Sequence, residues 1–270
     1  MTQNTVFAAA QTCLAACDVD EKLRLTTEAA AAWHAGLLIV ASANGPEPIG
    51  EPGRPERPPL VTPASLPRRG LGTPAGRAAL VHALAHIEFN AINLAWDAAY
   101  RFRNMPRQFY GDWVQVADEE AHHFRLLRDR LREMGHEYGD FPAHNGLWDM
   151  ARRTAFDPMV RMALVPRVME ARGLDVTPGM MQRLRQAGDQ ATVQILEIIL
   201  RDEVGHVAIG SRWFRHQCDA RGLAPEATFR QLVQQYLTGE LRGPFDYEAR
   251  IKAGFTAKEL RALERLTAPA

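Results

Sequence analysis

The sequence predicts an all-α protein with a four-helix bundle at its centre. Apolar residues recur at three- and four-residue spacing through most of residues 77–218, and no stretch alternates apolar and polar residues between turn signals as a strand would. Each of four helical stripes is interrupted by a glutamate, and two of these glutamates are followed three residues later by a histidine. The periodicity predicts the fold class, and the interruptions mark where chemistry is expected.

The N-terminal part is expected to contain helices followed by an irregular arm. Residues 1–43 form the first segment, in which the Ala- and Leu-rich stretch 5–35 predicts one or two short helices. Residues 44–75 carry Pro and Gly at a density that excludes a regular element. This arm is expected either to pack on the core or to link to it.

Residues 76–220 are assigned to the bundle and residues 221–270 to a C-terminal helical extension. Residues 136–156 are expected to be irregular, and Thr177–Gly179 resembles the start of a short helix. Four bundle helices are predicted: the first begins near Arg77, the second runs from about Trp113 to Gly135, the third runs from about Asp157 to a stop at Gly173, and the fourth covers about residues 189–218. Weaker helices are predicted near 225–238 and 256–266.

Composition excludes several classes of protein. The 32 basic and 32 acidic side chains balance, so net charge supports neither a nucleic-acid partner nor an anionic membrane surface. No apolar stretch approaches the ~20 residues that span a bilayer, and the N-terminus lacks the basic start of a secretory signal. A cytoplasmic location without a membrane partner is expected. An odd number of cysteines in a long chain does not indicate a disulfide framework: Cys13, Cys17 and Cys218. Cys13 and Cys17 are four residues apart and are expected to be small buried residues that could lie on one helical face.

The interrupted stripes contain six candidate metal ligands. Residues i and i+3 lie on nearly the same helix face, so each Glu-x-x-His pair can reach one ion. The first half of the bundle supplies Glu88, Glu120 and His123, and the second half supplies Glu170, Glu203 and His206.

The spacing of these residues repeats. Glu88 and Glu120 are 32 positions apart, Glu170 and Glu203 are 33 apart, and 50 positions between Glu120 and Glu170 leave room for a long crossover. Four carboxylates in a core would repel one another or take up protons, and metal cations remove that cost. Ferritin-like two-metal bundles have this ligand pattern: two helices each supply one Glu, and the other two each supply Glu-x-x-His.

Neighbouring polar residues have weaker roles. Glu119 and Asp202 each precede a ligand glutamate, and we expect them to accept the ring N–H of a metal-bound histidine, with solvated surface acids as the alternative. His82 is expected to be a polar core or surface residue, and His86 and His122 to face away from the ligands.

Four segments contain the candidate ligands: HALAHIEFNAINLAWD, DEEAHHFRLLRDRLREMGHEYGDFPAHNGLW, RMALVPRVMEARGLDVTPGM and RDEVGHVAIGSRWF. With the Pro-rich arm, they resemble the ferritin-like family catalogued as domain of unknown function 455, over about residues 50–240. The resemblance implies a ferritin-like fold and places the ligands on the same six residues. A more distant similarity is to the tRNA-hydroxylating ferritin-like proteins, by analogy alone.

Such a site is expected to hold two metal ions, iron first, with manganese or a mixed manganese–iron pair as alternatives. The favoured function is an oxygen-dependent oxidoreductase, an oxidase or hydroxylase that takes dioxygen and a small organic molecule or modified base. A ferroxidase or iron-handling protein, and a non-enzymatic metal-binding protein, remain the alternatives. The electron donor and the oligomeric state are left open.

Two further groups of side chains carry alternative interpretations. Five arginines either attract an anionic substrate or tRNA or form helix-surface ion pairs, which is the favoured reading: Arg152, Arg153, Arg161, Arg167 and Arg172. Five aromatic residues either line a cavity or fill the core, and the core is favoured for each: Trp96, Tyr100, Phe124, Trp213 and Phe214.

Overall fold

The computed structural model describes residues 4–41, 45–66, 70–237 and 241–267. Within these ranges helices are the only regular elements, accompanied by isolated β-bridges, so the all-α prediction is confirmed. None of the described helices combines the length and apolar character needed to cross a membrane. The chain divides into two compact units, Met1–Arg152 and Arg153–Ala270.

The helices of the first unit begin at recognisable capping residues. The Thr5 hydroxyl accepts from the N–H of Ala8, Asp18 accepts from Glu21, and Thr73 accepts from Gly76. The Thr73 cap sits directly before a proline, so the first bundle helix begins slightly earlier than predicted. The helices are α1 (Val6–Ala15), α2 (Val19–His34), α3 (Pro74–Arg101), α4 (Arg107–Glu133) and α5 (Gly146–Arg153).

Helices α3 and α4 form the centre of the first unit. The short connection 102–106 returns the chain, and Asn104 adopts the left-handed conformation there. Helices α1 and α2 pack on this pair, and Phe89 of α3 meets Phe124 of α4 at 5.7 Å between ring centroids. Helix α3 is therefore buried on almost every face from residue 88 to residue 100.

A second buried stripe on α3 is polar. Its members are spaced by three or four residues and lie 90% or more buried. The fully buried ammonium of Lys22 on α2 donates to the Asn93 amide oxygen at 2.8 Å and to the Cys13 carbonyl at 2.6 Å. The stripe consists of His82, His86, Asn90, Asn93 and Asp97.

The two histidines of this stripe hold the loop after α4. His82 Nε2 accepts from the N–H of Gly139 at 2.9 Å, and His86 Nδ1 lies 2.9 Å from the Tyr138 hydroxyl. His82 is thus a polar core residue, as predicted. Burial lowers the pKa of both histidines to about 4.

We expect acid to destabilise the first unit through these histidines. Their native pKa lies below the unfolded value of 6.5, so the stability they provide is present above pH 6.5 and is lost as pH falls from there towards 4. At pH 5 the loss is about 2 kcal/mol for each. Urea unfolding at pH 7 and pH 5 measures it.

In that experiment His82→Gln should lose about half of the pH dependence. His34→Gln, at the exposed end of α2, should keep all of it. Equal free energies of unfolding at the two pH values in the parent protein would contradict the prediction.

The Pro-rich arm packs against the first unit along its described length. Gly53 donates its N–H to the Leu14 carbonyl, Trp148 donates to the Gly50 carbonyl, and Val61 donates to the Ala143 carbonyl. A β-carbon at Gly53 would overlap the carbonyl oxygens at the end of α1, so only glycine fits there. Apart from the 3₁₀ turn Pro63–Ser65, the described arm is irregular, as predicted, as far as residue 73. Its last two residues, 74 and 75, already belong to α3. The expected boundary between residues 43 and 44 falls outside the described residues.

One expectation about the cysteines was wrong. Cys13 on α1 is buried, as predicted, and Cys218 is buried as well. Cys17 is exposed because α1 ends at Ala15, which places Cys17 in the connection to α2 rather than on the same helical face as Cys13.

The second unit contains one long helix that changes its hydrogen-bonding pattern. The helix α6 leads without a break into a π-helical segment and then into α7. The elements are α6 (Pro158–Leu164), the π segment (Val165–Glu170), α7 (Ala171–Gln186), α8 (Gln190–Ala220), α9 (Pro225–Leu237), α10 (Tyr247–Lys252) and α11 (Ala257–Thr267).

The predicted helix stop at Gly173 was wrong. Gly173 lies within α7, which continues through Pro178 to Gln186, and it is Gly188 that adopts the left-handed conformation after the helix (φ 74°). A glycine ends a helix only when its backbone takes up that conformation. The predicted helix start at Thr177–Gly179 was also wrong, because these residues lie inside the same helix, α7.

Two short helices were not predicted. Helix α5 lies in the stretch expected to be irregular, and α10 lies in the C-terminal extension. Neither exceeds eight residues, which is too short for an apolar periodicity to stand out. The predicted weaker helices were confirmed as α9 and α11, although residue 238 lies outside the described residues.

Helix α8 approaches the π segment closely at Gly210. A β-carbon at this position would overlap Cβ and Cγ of Pro166. We expect Gly210→Ala to destabilise the protein by about 1–3 kcal/mol, because the segment would have to shift. Chemical denaturation measures the change.

The matched control is Gly205→Ala on the same helix, where an added β-carbon meets nothing within 4 Å. That change should be neutral or stabilising by up to about 1 kcal/mol, since Ala favours helix more than Gly. Equal stabilities of the two variants would exclude close packing at Gly210.

Candidate metal centre

Helices α3 and α4 bring three of the predicted ligands together in the first unit. Glu88, Glu120 and His123 are 4%, 1% and 0% exposed. His123 Nδ1 lies 3.3 Å from Glu120 Oε2 and 3.6 Å from Glu88 Oε2. One ligand atom from each lies within 4.8 Å of the others.

The arrangement follows from the helix geometry. Glu120 and His123 are three residues apart on α4, so both side chains leave the same face. Glu88 meets them from the neighbouring α3, where the surrounding residues are apolar and buried. The structure therefore brings these three predicted residues together.

The electrostatics of this cluster are those of buried acids in contact. Burial raises the pKa of Glu88 well above its usual range, and the adjacent Glu120 carboxylate raises it further. For His123, burial opposes the charged form, but the hydrogen bond to Glu120 and the nearby Glu88 carboxylate outweigh it and raise the pKa to about 11. The positive charge of protonated His123 thus compensates the two acids, which a bound cation could do instead.

The donor set fits a metal ion. Glu88 Oε2 is buried and has no hydrogen-bond partner among the described residues, so one acceptor is left for a cation. Two carboxylates and an imidazole are oxygen and nitrogen ligands, which suit iron, manganese or zinc. Neutralising the two acids with a divalent ion also removes their mutual repulsion.

The second unit carries a matching pair on α8. Glu203 and His206 are three residues apart, with His206 Nδ1 at 3.5 Å from Glu203 Oε1. The His206 side chain is 1% exposed and that of Glu203 is 12% exposed. Glu170, half-buried, is the last residue of the π segment, a distortion that is common at functional sites.

Within the first unit, Glu88, Glu120 and His123 form a group that could hold a metal ion. The parts of Glu170, Glu203 and His206 in a metal site stay predictions.

Comparison with known proteins shows the family of this chain. A family model described as "Protein of unknown function (DUF455)" matches residues 15–261. The chain belongs to this family. A protein of Haemophilus influenzae, named "Uncharacterized protein", is 50% identical over 213 residues, which cover 76% of this chain and 74% of that protein. No solved structure matches the chain.

The acids that precede the ligand glutamates in this DUF455 chain also have partners of their own. Glu119 accepts from the Gln115 side chain at 2.9 Å, and Asp202 accepts from Arg201 at 2.8 Å. Their expected role beside a metal-bound histidine stays a prediction. His122 is exposed, so it points away from His123 as expected.

The arginines discussed above form ion pairs or are buried in this DUF455 chain. Arg152 pairs with Glu51 and Arg172 pairs with Asp175, in line with the ion-pair interpretation. The expectation that these arginines lie on the surface of a helix was wrong for Arg161 and Arg167, which are 1% and 0% exposed. Hydrophobic periodicity could not reveal this, because Arg167 enters the core through a buried ion pair with a residue 92 positions away.

The aromatic residues have core partners. Trp96 donates to the Thr26 hydroxyl, and the Tyr100 hydroxyl accepts from the N–H of Glu47. Phe124 packs on Phe89. Phe214 packs edge-on against Phe229, and Trp213 lies against His216.

Proposed function

We propose that this DUF455 protein is a ferritin-like two-metal carboxylate protein that acts as an oxygen-dependent oxidoreductase on a small organic substrate. The observation that carries the proposal is the buried contact of Glu88, Glu120 and His123, because two carboxylates in contact are costly to bury without a cation. The second Glu-x-x-His pair, Glu203 and His206, supports it by repeating the same chemistry.

Charge balance supports two ions rather than one. In the proposal Glu88, Glu120, Glu170 and Glu203 contribute four negative charges, which match two divalent cations. The histidines His123 and His206 then bind as neutral imidazoles, one for each ion. A single divalent ion would leave two buried or half-buried carboxylates without compensation.

The protein residues would bind the ions, tolerate changes in their charge and exclude bulk water. The four glutamates bind the metals and tolerate changes of charge, because a carboxylate can use one or both oxygens. The buried walls of α3 and α4 exclude bulk water from the ligands of the first half. When bound, two iron ions would supply the electrons that dioxygen activation requires. Manganese, alone or with iron, fits the same ligands.

Anaerobic titration with ferrous iron, followed by exposure to dioxygen, tests the proposal. We expect two irons per chain and a new ultraviolet–visible absorption after oxygen is admitted. Binding of fewer than two ions would overturn the two-metal proposal. Two bound irons that do not react with oxygen would overturn the oxidoreductase proposal and leave a metal-binding protein.

A further inference from the structure

A polar cavity lies beneath the Pro-rich arm in the first unit, on a different face of α3 from Glu88. Its enclosed end has room for one water-sized group. Prolines of the arm form its roof and Phe89 forms part of its wall. The polar side chains that line it are Arg54, His86, Asn90, Asn93, Tyr138 and Asn145.

The enclosed end favours an anion. Its polar lining consists of one guanidinium and neutral side chains, with no carboxylate among the described residues that line it. Amide, hydroxyl and guanidinium groups supply N–H or O–H donors. The Asn90 amide donates to His86, whereas the Asn93 amide has one described donor bond, to the Phe89 carbonyl, and a second N–H for a ligand. Arg54 is exposed, and its described hydrogen bonds go to the carbonyls of Pro55 and Pro58 rather than to a carboxylate.

A buried ammonium directly behind this cavity is an independent indication. Lys22 is 0% exposed, and its described hydrogen bonds go to two backbone carbonyls and to the Asn93 amide oxygen rather than to a carboxylate. Fully buried lysines are rare unless an anion compensates them. Asn93 lines the cavity and contacts Lys22, so it connects the ammonium to the space where an anion would lie.

The outer side of the cavity has the opposite polarity. An open depression of about 650 Å³ shares Arg54, Asn145 and two prolines with the enclosed end, so the two adjoin. Glu51 and Glu56 line this depression. A ligand that enters from solvent therefore meets acids first and cationic or neutral donors last.

We propose that the first unit binds a small amino carboxylate in this cavity, with the carboxylate at the enclosed end and the amino group in the outer depression. One carboxylate oxygen has the size of the enclosed space, which has room for one water-sized group. Arg54 binds the carboxylate, and Glu51 and Glu56 attract the ammonium group. The site does not depend on the proposed metal centre.

Ligand-observed NMR and calorimetry on the metal-free protein test this site. The probes are glycine, 4-aminobutanoate and 5-aminopentanoate, with butanoate, butylamine and inorganic phosphate for comparison. At least one amino carboxylate should bind at least tenfold more tightly than butylamine and phosphate. Failure of every amino carboxylate to bind, or equal binding of phosphate, would overturn the proposal.

Two variants locate the site. Arg54→Gln should weaken binding about tenfold or more, since it removes a charge-assisted hydrogen bond. Arg57→Gln, a change on the same arm at a side chain 69% exposed and outside the cavity, should leave the affinity unchanged. Equal effects of the two would overturn the assignment to this cavity.

The combined change Glu51→Gln and Glu56→Gln tests the orientation. Both glutamates are exposed, so folding should be preserved. We expect the preference for an amino carboxylate over butanoate to fall several-fold, with butanoate binding unchanged or improved. An unchanged preference would overturn the placement of the amino group.

Discussion

Glu120→Gln is expected to lower metal affinity by about 100-fold or more while the metal-free protein stays folded. The amide has the shape of the carboxylate but carries no charge, so it is a poor ligand for a divalent ion. In the metal-free protein Glu88 remains beside His123 at 3.6 Å, so the imidazolium still has an acidic partner. The loss of one of two mutually repelling carboxylates should therefore keep the free energy of unfolding within about 1 kcal/mol of the parent value.

Metal titration and denaturant unfolding of the same sample separate these two effects. Glu133→Gln is the matched control, because Glu133 lies on the same helix with its side chain 63% exposed and paired with Arg130. It should change neither quantity. Unchanged metal affinity in Glu120→Gln would show that α4 does not hold the ion.

Arg167→Met is expected to destabilise the protein by about 3–5 kcal/mol, through the second unit. Arg167 donates to Glu259 at 2.7 Å, and the two side chains are 1% and 2% exposed. Three rings surround the guanidinium carbon at 4.1–4.8 Å, those of Phe214, Phe229 and Phe255. Removing the cation leaves the Glu259 carboxylate buried in this aromatic setting with its charge uncompensated.

Thermal unfolding should show the loss as a fall of roughly 6–15 °C in Tm. Glu259→Gln in the Arg167→Met background should recover much of the stability, because the buried charge is then gone. Arg185→Met, which breaks an ion pair with Glu197 between half-exposed side chains, should cost no more than about 1 kcal/mol. Similar losses in Arg167→Met and Arg185→Met would contradict the role assigned to the buried pair.

The ligand pattern could be predicted because it is local. Glu120 and His123 are linked by helix geometry alone, and so are Glu203 and His206. Glu88 needed a further step, the inference that a glutamate on an apolar stripe faces the same core. The contact of Glu88 with His123 agrees with that step.

Other features depend on partners that are distant in the chain. The stripe His82, His86, Asn90, Asn93 and Asp97 has helical spacing, so the sequence contained a signal for it. A polar stripe at that spacing normally faces solvent, however, and only the packing of α2 and the arm on α3 buries it.

The sequence by itself determined the helical class, the main helices and three candidate ligands that the structure brings into contact, because helix periodicity and i, i+3 spacing are properties of neighbouring residues. Tertiary structure alone decided that α7 continues past Gly173, that Arg167 is buried and that a polar cavity forms under the arm. The packing of α7 on α8, the buried pair of Arg167 and Glu259, and the roof of prolines each join residues that are distant in the chain.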